Sequence, residues 1–283
     1  MAEVTLYDIP SRGRVSCFSH DVWKRQSPTI RLFFPNLRLV SDIDPVRLVL
    51  NYKKIPYKTV WLEHKDIEQT LKSMYDHQTP TRLPSNPSLP CSSTPTGQKT
   101  YTLPTILLPS GLALSDSLAI ARWAEHTHPT PSLYLPCTPH ALAAQRVAAA
   151  TLPLVPILMP RMPRDVLRPE SAQDFEAASA ERFGMLLDVV EKKKGKEDAW
   201  KRAQLGLDSL EELVKGGAFK VEGDGEGGPF ILGSRVSYAD FVVVAALEGL
   251  RRVGKDVFER AVANREGLKR VWESCGEWLK RDD

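Results

Sequence analysis

The sequence predicts two unlike halves: a mixed α/β domain and, behind it, a domain built only of helices. Up to about Pro129–Pro139, short β-like runs alternate with helical ones, whereas beyond that stretch every apolar run has helical spacing. A further sign is Ser237-Tyr238-Ala239-Asp240, a serine and an aspartate three residues on. They open a helix, Phe241 to Leu247, that is apolar all round and therefore buried. The expected bounds are residues 1–130 for the first domain and 138–283 for the second.

In the first half, Val4–Ile9 reads as a strand, Val46–Lys54 as a helix, Tyr57–Glu63 as a second strand and Asp66–Met74 as a short helix. Strands near Leu103–Leu107 and Leu112–Leu114 follow, then a helix from Asp116 to Glu125. This β-α-β-α-β-β-α order calls for a small mixed sheet with helices on both faces. The helical half is expected as His140–Leu167, bent by Pro153, Pro156, Pro160 and Pro163, then Ala172–Lys193, Glu197–Lys215, Tyr238–Val253 and Lys255–Leu279. Three segments read as loops. Gln78–Lys99 is rich in Pro, Ser and Thr and too polar to pack, and Gly216–Gly228 is a glycine-rich turn region. Arg12–Pro45 lies where a compact domain needs only a short crossing.

Composition excludes several function classes. With 42% apolar and 26% charged residues in 283, the chain is an ordinary globular one, long enough for two cores. A net charge of +3 gives no electrostatic case for nucleic acid, and Lys192-Lys193-Lys194 is balanced by Glu191, Glu197 and Asp198. Cys17, Cys91, Cys137 and Cys275 show no CxxC spacing, which argues against a zinc site or a disulfide scaffold and fits a reducing compartment. Nothing ahead of Val4 reads as a signal peptide, and the apolar stretches Thr151–Pro160 and Phe241–Leu247 are too short to span a bilayer. A cytoplasmic protein with no membrane partner is expected. Gly223–Gly228 fits a dinucleotide-binding pattern, but it carries two acids and runs into Pro229 rather than a helix. Gly249–Lys255 fits most of a phosphate loop, but Asp256 stands where a Ser or Thr is required. His126 and His128 do not share a helical face and read as helix-end residues, so no metal is expected.

The chemistry-bearing stretch is Tyr101-Thr102-Leu103-Pro104-Thr105-Ile106 with Ser115-Asp116-Ser117 close behind it. Proline cannot serve a central sheet ladder, so Pro104 is best explained by a cis bond at a turn entering a strand, where the exposed backbone can pair with a ligand. Asp116 and Ser117 stand at the start of an apolar helix, either as plain caps or as the place where its free N–H groups and positive dipole end seat a carboxylate. Together they describe a peptide-like anion held between a strand edge and a helix N-terminus.

These features resemble the glutathione transferase superfamily, which implies an α/β thioredoxin-like N-terminal domain and an all-α C-terminal domain. The likeness is to fungal members related to bacterial β-etherases. It runs through Leu6-Tyr7-Asp8-Ile9-Pro10-Ser11, Arg47–Lys53, Ile55–Glu63, Asp66-Ile67-Glu68, the proline and Ser-Asp-Ser motifs, and Gly228-Pro229-Phe230 into the Ser237 box. It covers most of the chain and is weakest over residues 140–225. The resemblance implies that Leu103 and Pro104 meet the cysteinyl unit of glutathione and that Asp116 and Ser117 hold its γ-glutamyl end. It assigns the catalytic serine to Ser27, in Ser27-Pro28-Thr29 after Trp23, with Ser11 and Ser19 as alternatives. About fifteen residues from Leu32 to Val46 then intervene without a family counterpart, as a genuine insertion or as retained intron sequence.

The implied chemistry is thiolate attack. A free thiol has a pKa of about 8.5, so a hydroxyl donor and a helix N-terminus are needed to favour the anion at neutral pH. The thiolate would attack a small hydrophobic, aromatic or ether-bearing electrophile, in detoxification or in tailoring a secondary metabolite. Leu158, Met159 and Met162 are candidates for an adaptable apolar wall, or for plain core. The resemblance also implies a homodimer. Two rival readings keep the fold without the chemistry: a glutathione-binding protein with a disabled catalytic turn, and a scaffold that recruits partners through its helices.

Overall fold

The computed structural model describes residues 3–10, 16–17, 45–76, 92–93, 99–136, 139–193, 196–216, 219 and 228–280. Its first half is organised around strand β1, Val4–Pro10, whose alternating side chains serve two cores. Beside β1 run β3 (Tyr57–Trp61), parallel, and β6 (Thr105–Leu107), antiparallel, and β6 in turn pairs antiparallel with β7 (Ala113–Ser115). A two-residue strand β2 (Ser16–Cys17) folds back on the end of β1. The expected small mixed sheet is therefore present, with helices on both faces. Val4, Leu6, Ile106 and Leu114 pack with α1 (Pro45–Tyr52) and α3 (Ser117–Thr127). On the other face Leu103 and Ala113 pack with Leu71 and Tyr75 of α2 (Ile67–Asp76).

One buried ion pair pins α1 to the sheet. Arg47 Nε donates to Asp8 Oδ2 at 3.0 Å and Nη2 to Thr59 Oγ1 at 3.1 Å, while the guanidinium lies 4.9 Å from the Trp61 ring centroid. Helix α1 begins at Pro45, so the last two residues of the stretch expected to be inserted, Pro45 and Val46, belong to the helix. The rest of that stretch lies outside the described residues. Most of the Gln78–Lys99 loop does too, although Ser92–Ser93 (β4) pairs antiparallel with Lys99–Thr100 (β5), which corrects the expectation of loop alone.

The helical half holds more breaks than its periodicity showed. The run expected over His140–Leu167 is α4 (Pro139–Thr151), a 3₁₀ turn over Leu152–Leu154, α5 (Val155–Arg161) and a π turn over Met162–Val166. Each proline there removes an amide donor, and the narrow and wide turns absorb the loss without ending the run. Gly184, at φ 63°, splits the next helix into α6 (Pro169–Phe183) and α7 (Leu187–Lys193). Helix α8 (Lys196–Lys215) follows and crosses α4 closely: a Cβ on Gly206 would come within 2.4 Å of the Ala149 carbonyl. The last expected helix is three, α10 (Lys255–Val262), α11 (Glu266–Ser274) and α12 (Gly276–Leu279), interrupted at Asn264 (φ 62°) and at Cys275.

Helix α9 (Tyr238–Val253) is the axis of this half, with Phe241 to Leu250 buried on all sides. Its start is the expected capping box. The Ser237 amide and hydroxyl donate to Asp240 Oδ2 at 2.8 and 2.7 Å, and Ile231 N donates to Oδ1 at 2.8 Å. The Pro139–Val166 run is long and apolar enough to cross a membrane by length and composition, which exceeds the sequence expectation. Here it is core, with Val147, Leu154 and Met159 buried.

The two halves meet along α1. Tyr52 makes edge-to-face contacts with Phe241 and Trp278, at centroid distances of 5.4 and 5.0 Å. Asn51 donates to the Trp278 carbonyl at 2.7 Å, and the buried Lys53 ammonium meets Glu125 at 2.7 Å and the carbonyls of His128 and Pro131. Across a second contact, Ser171 Oγ donates to Glu63 Oε2 at 2.5 Å.

Candidate functional site

The β6–β7 hairpin brings the sequence-derived residues together. Its turn closes with Leu108 N donating to Leu112 O at 2.8 Å, and Gly111 takes φ 84°, a conformation glycine adopts without steric cost. From there the register runs Leu107 to Ala113, Ile106 to Leu114 and Thr105 to Ser115. Pro104 and Leu103 continue one strand past that last rung, and Asp116 and Ser117 continue the other. All four residues therefore flank the open end of one hairpin.

The Leu103–Pro104 bond is cis, as the position of the proline suggests. Leu103 is 2% exposed, its side chain packed with Leu71 and Tyr75, and among the described residues its main chain makes no backbone hydrogen bond outside the named elements. That is the condition for a strand edge that can pair with an extended ligand.

Asp116 is the N-cap of α3. Its Oδ1 accepts from Leu118 N and Ala119 N, both at 3.0 Å, and its carbonyl accepts from Ile120 N at 2.9 Å. The expectation of several free N–H groups at this helix start is therefore corrected, because the aspartate engages two of them itself. Ser117, 5% exposed, is the first helical residue. Asp116 also holds φ 81° and ψ 117°, a region that residues with a Cβ rarely occupy and that collects at ligand sites.

Beneath the open end lies a feature that sequence reasoning missed. The Thr105 and Ser115 hydroxyls are 2.5 Å apart across the rung, Thr105 Oγ1 donates to the Thr102 carbonyl at 2.8 Å, and the Tyr75 hydroxyl meets Ser115 Oγ. Tyr75 also stacks on Tyr101, with ring centroids 6.0 Å apart. Nothing in the local pattern of α2 marks Tyr75 for this role, since Ser115 lies forty residues away in sequence.

Three sequence candidates, Ser27, Ser11 and Ser19, lie outside the described residues. Leu158, Met159 and Met162, offered as a substrate wall, are 3%, 0% and 2% exposed and belong to the helical core, so the plain reading holds for them. Cys275 is fully buried and burial pushes its thiol up, which removes it as a nucleophile.

A thioredoxin-like sheet, a cis-proline turn facing a serine-bearing helix start and a capped central helix define a class of protein, and the comparisons bear on it directly. Residues 44–127 match the glutathione S-transferase N-terminal domain and residues 140–278 the glutathione S-transferase C-terminal domain. The chain belongs to the glutathione transferase superfamily. It is 28% identical, over 85% of its own length and 84% of the relative's, to the glutathione S-transferase-like protein ustS of Aspergillus flavus. Its structure is similar to a glutathione S-transferase of Ceriporiopsis subvermispora in complex with glutathione, at TM-score 0.64 and 27% identity, covering 94% of this chain and 98% of the other. The fold also matches glutathione transferase GSTFuA3 of Phanerochaete chrysosporium at TM-score 0.70 and 24% identity, over 98% and 97% of the two chains.

Proposed function

We propose that this protein is a glutathione-dependent transferase and that the open end of the β6–β7 hairpin is its glutathione seat. Family membership makes glutathione the co-substrate. Leu103 pairs its main chain with the cysteinyl unit, in the turn set by Pro104. Asp116 and Ser117 hold the γ-glutamyl end. Because Asp116 Oδ1 already takes two helix amides, the Ser117 N–H and hydroxyl are the donors left to the γ-glutamyl carboxylate. The observation that carries this reading is the placement of these residues on both strands just past one rung, with Asp116 in a conformation that regular structure does not require.

Ser27 is the proposed catalytic hydroxyl, donating to the glutathione sulfur and favouring the thiolate, with Ser11 and Ser19 behind it. Every unit by which the thiol pKa falls corresponds to about 1.4 kcal/mol of preferential stabilisation of the anion. The thiolate then attacks a small hydrophobic or aromatic electrophile, in detoxification or in secondary metabolite biosynthesis. A cytoplasmic homodimer goes with this reading.

The test is a titration with glutathione from pH 5 to 9, following thiolate absorbance of the bound ligand. Saturable binding with a thiol pKa well below 8 is expected, and its loss in Ser27→Ala identifies the donor. Binding with an unshifted thiol would instead establish the glutathione-binding protein without chemistry. No binding would overturn the seat at Leu103, Pro104, Asp116 and Ser117.

A further inference from the structure

The hydroxyls under the seat form a connected network. Thr105 Oγ1 donates to the Thr102 carbonyl at 2.8 Å and lies 2.5 Å from Ser115 Oγ, which also reaches the Thr102 carbonyl at 3.5 Å and meets the Tyr75 hydroxyl. Tyr75, Thr102, Thr105 and Ser115 are 8%, 6%, 0% and 9% exposed, so the network lies in a dry interior where each bond strengthens the next. Two of its members stand where a core contact would not need them. Thr102 immediately precedes Leu103, and Ser115 immediately precedes Asp116. One network therefore ties the backbone of the strand edge to the backbone of the helix start, and Tyr75 anchors both to α2.

We infer that Tyr75, Thr105 and Ser115 are positioning residues that set the width of the glutathione seat, and so the length of γ-glutamyl arm it accepts. This rests on the seat proposed above. A ligand held at both ends reads the distance between them, and a rigid frame turns a one-methylene error in that distance into lost contact at one end. A frame with a broken tie yields to the shorter ligand instead. Tyr75→Phe is the sharpest probe, because the ring keeps its place against Leu103 and its stack on Tyr101 while the hydroxyl goes.

The experiment compares Kd for glutathione with Kd for β-aspartylcysteinylglycine, whose acidic arm is one methylene shorter, in wild type, Tyr75→Phe, Ser115→Ala and Thr105→Val. Wild type should favour glutathione at least tenfold, a spread within reach of one misplaced charge-assisted hydrogen bond at about 1.5–3 kcal/mol. In Tyr75→Phe the glutathione Kd should rise about fivefold, as expected for one lost buried hydrogen bond, and the preference should shrink at least threefold. A merely destabilised protein would keep that preference in its folded fraction, so the ratio separates positioning from stability. If Tyr75→Phe fails to fold, the ratio in Ser115→Ala and Thr105→Val decides. Wild-type binding with an unchanged preference in the folded variants would overturn this inference and leave the seat intact. Absence of glutathione binding to wild type would overturn both.

Discussion

Two helix starts in this protein use the same chemistry for different ends. At α9, Asp240 is wholly buried and accepts from Ser237 N, Ser237 Oγ and Ile231 N. Each donor is supplied by the fold, and the flanking Val236 and Phe241 are both buried. At α3, Asp116 is half-buried, caps its own helix, and does so with its backbone at φ 81° beside a buried serine. The first arrangement is complete as it stands. The second holds a strained residue at the open end of a hairpin, with the main chain of Leu103 across from it. A carboxylate at a helix start is thus a structural device when the chain supplies all its donors, and a candidate site when the geometry around it exceeds what capping requires.

The largest effect should come from breaking the complete one. Asp240→Ala leaves three buried donors without an acceptor, at about 1–3 kcal/mol each when none relaxes, so a loss toward the lower end of about 3–9 kcal/mol is expected as they partly relax. Urea unfolding measures this as a lower midpoint at unchanged slope, while glutathione affinity per folded molecule stays at the wild-type value. An affinity loss of the same size would erase the distinction between the two starts.

The same residue predicts a pH dependence. Burial raises the Asp240 carboxyl to about 6, against the hydrogen bonds from Ser237 and Ile231 that favour its ionised form. The folded state therefore holds this proton more tightly than the unfolded chain, whose aspartate titrates near 3.8. Its contribution is fully present below about pH 4 and lost as pH rises through about 6, a change of about 3 kcal/mol. Glu248 works in the opposite sense: burial pushes it up, but Arg251 and Arg252 outweigh burial and hold it low, so its contribution is lost toward acid. Comparing wild type with Asp240→Asn at pH 4, 5, 6 and 7 removes the Glu248 part. The wild-type advantage should grow as pH falls, and a flat difference would contradict the raised carboxyl.

At the other start the effects should exchange places. Asp116→Ala and Ser117→Ala should weaken glutathione binding about 10- to 100-fold, the range for one hydrogen bond to a charged group. For Asp116→Ala, stability should fall by only about 1 kcal/mol through the lost cap. Calorimetric titration beside urea unfolding checks both, and an affinity change below twofold would remove Asp116 from the seat.

Much of this was legible in sequence because it is local. Alternation in Val4–Ile9, the proline before Thr105, the serine and aspartate of α9 and the acid before Ser117 are each signals a few residues long. The breaks in the helical half were less legible. Helical periodicity persists through Gly184 and Asn264, where a positive φ interrupts the helices. The hydroxyl chain was not legible at all. Tyr75 reads as one more apolar-face residue of α2, and its meaning comes from a strand pairing that places Ser115 against Thr105. The Ser117 site was half legible: an acid before an apolar helix is a cap signal, which Asp116 fulfils with two amides, but its φ of 81° is an angle no pattern encodes.

That angle supplies the smallest and most discriminating test. If φ 81° at Asp116 is held for the ligand, glycine should tolerate it where alanine does not. Loss of the cap to glycine costs only a few tenths of a kcal/mol, so Asp116→Gly should unfold within about 0.5 kcal/mol of wild type. Asp116→Ala carries a Cβ into the same conformation and should be less stable than Asp116→Gly by about 1 kcal/mol. Both variants lack the carboxylate, so both should lose glutathione affinity equally. Equal stability of the pair would mean the backbone relaxes freely and carries no strain. Unequal affinity would mean that the backbone conformation itself, beyond the carboxylate, shapes the seat. The expected outcome, unequal stability with equal affinity, would separate the two roles of one residue: the carboxylate would serve the ligand, and the strain of its backbone would bear on stability alone.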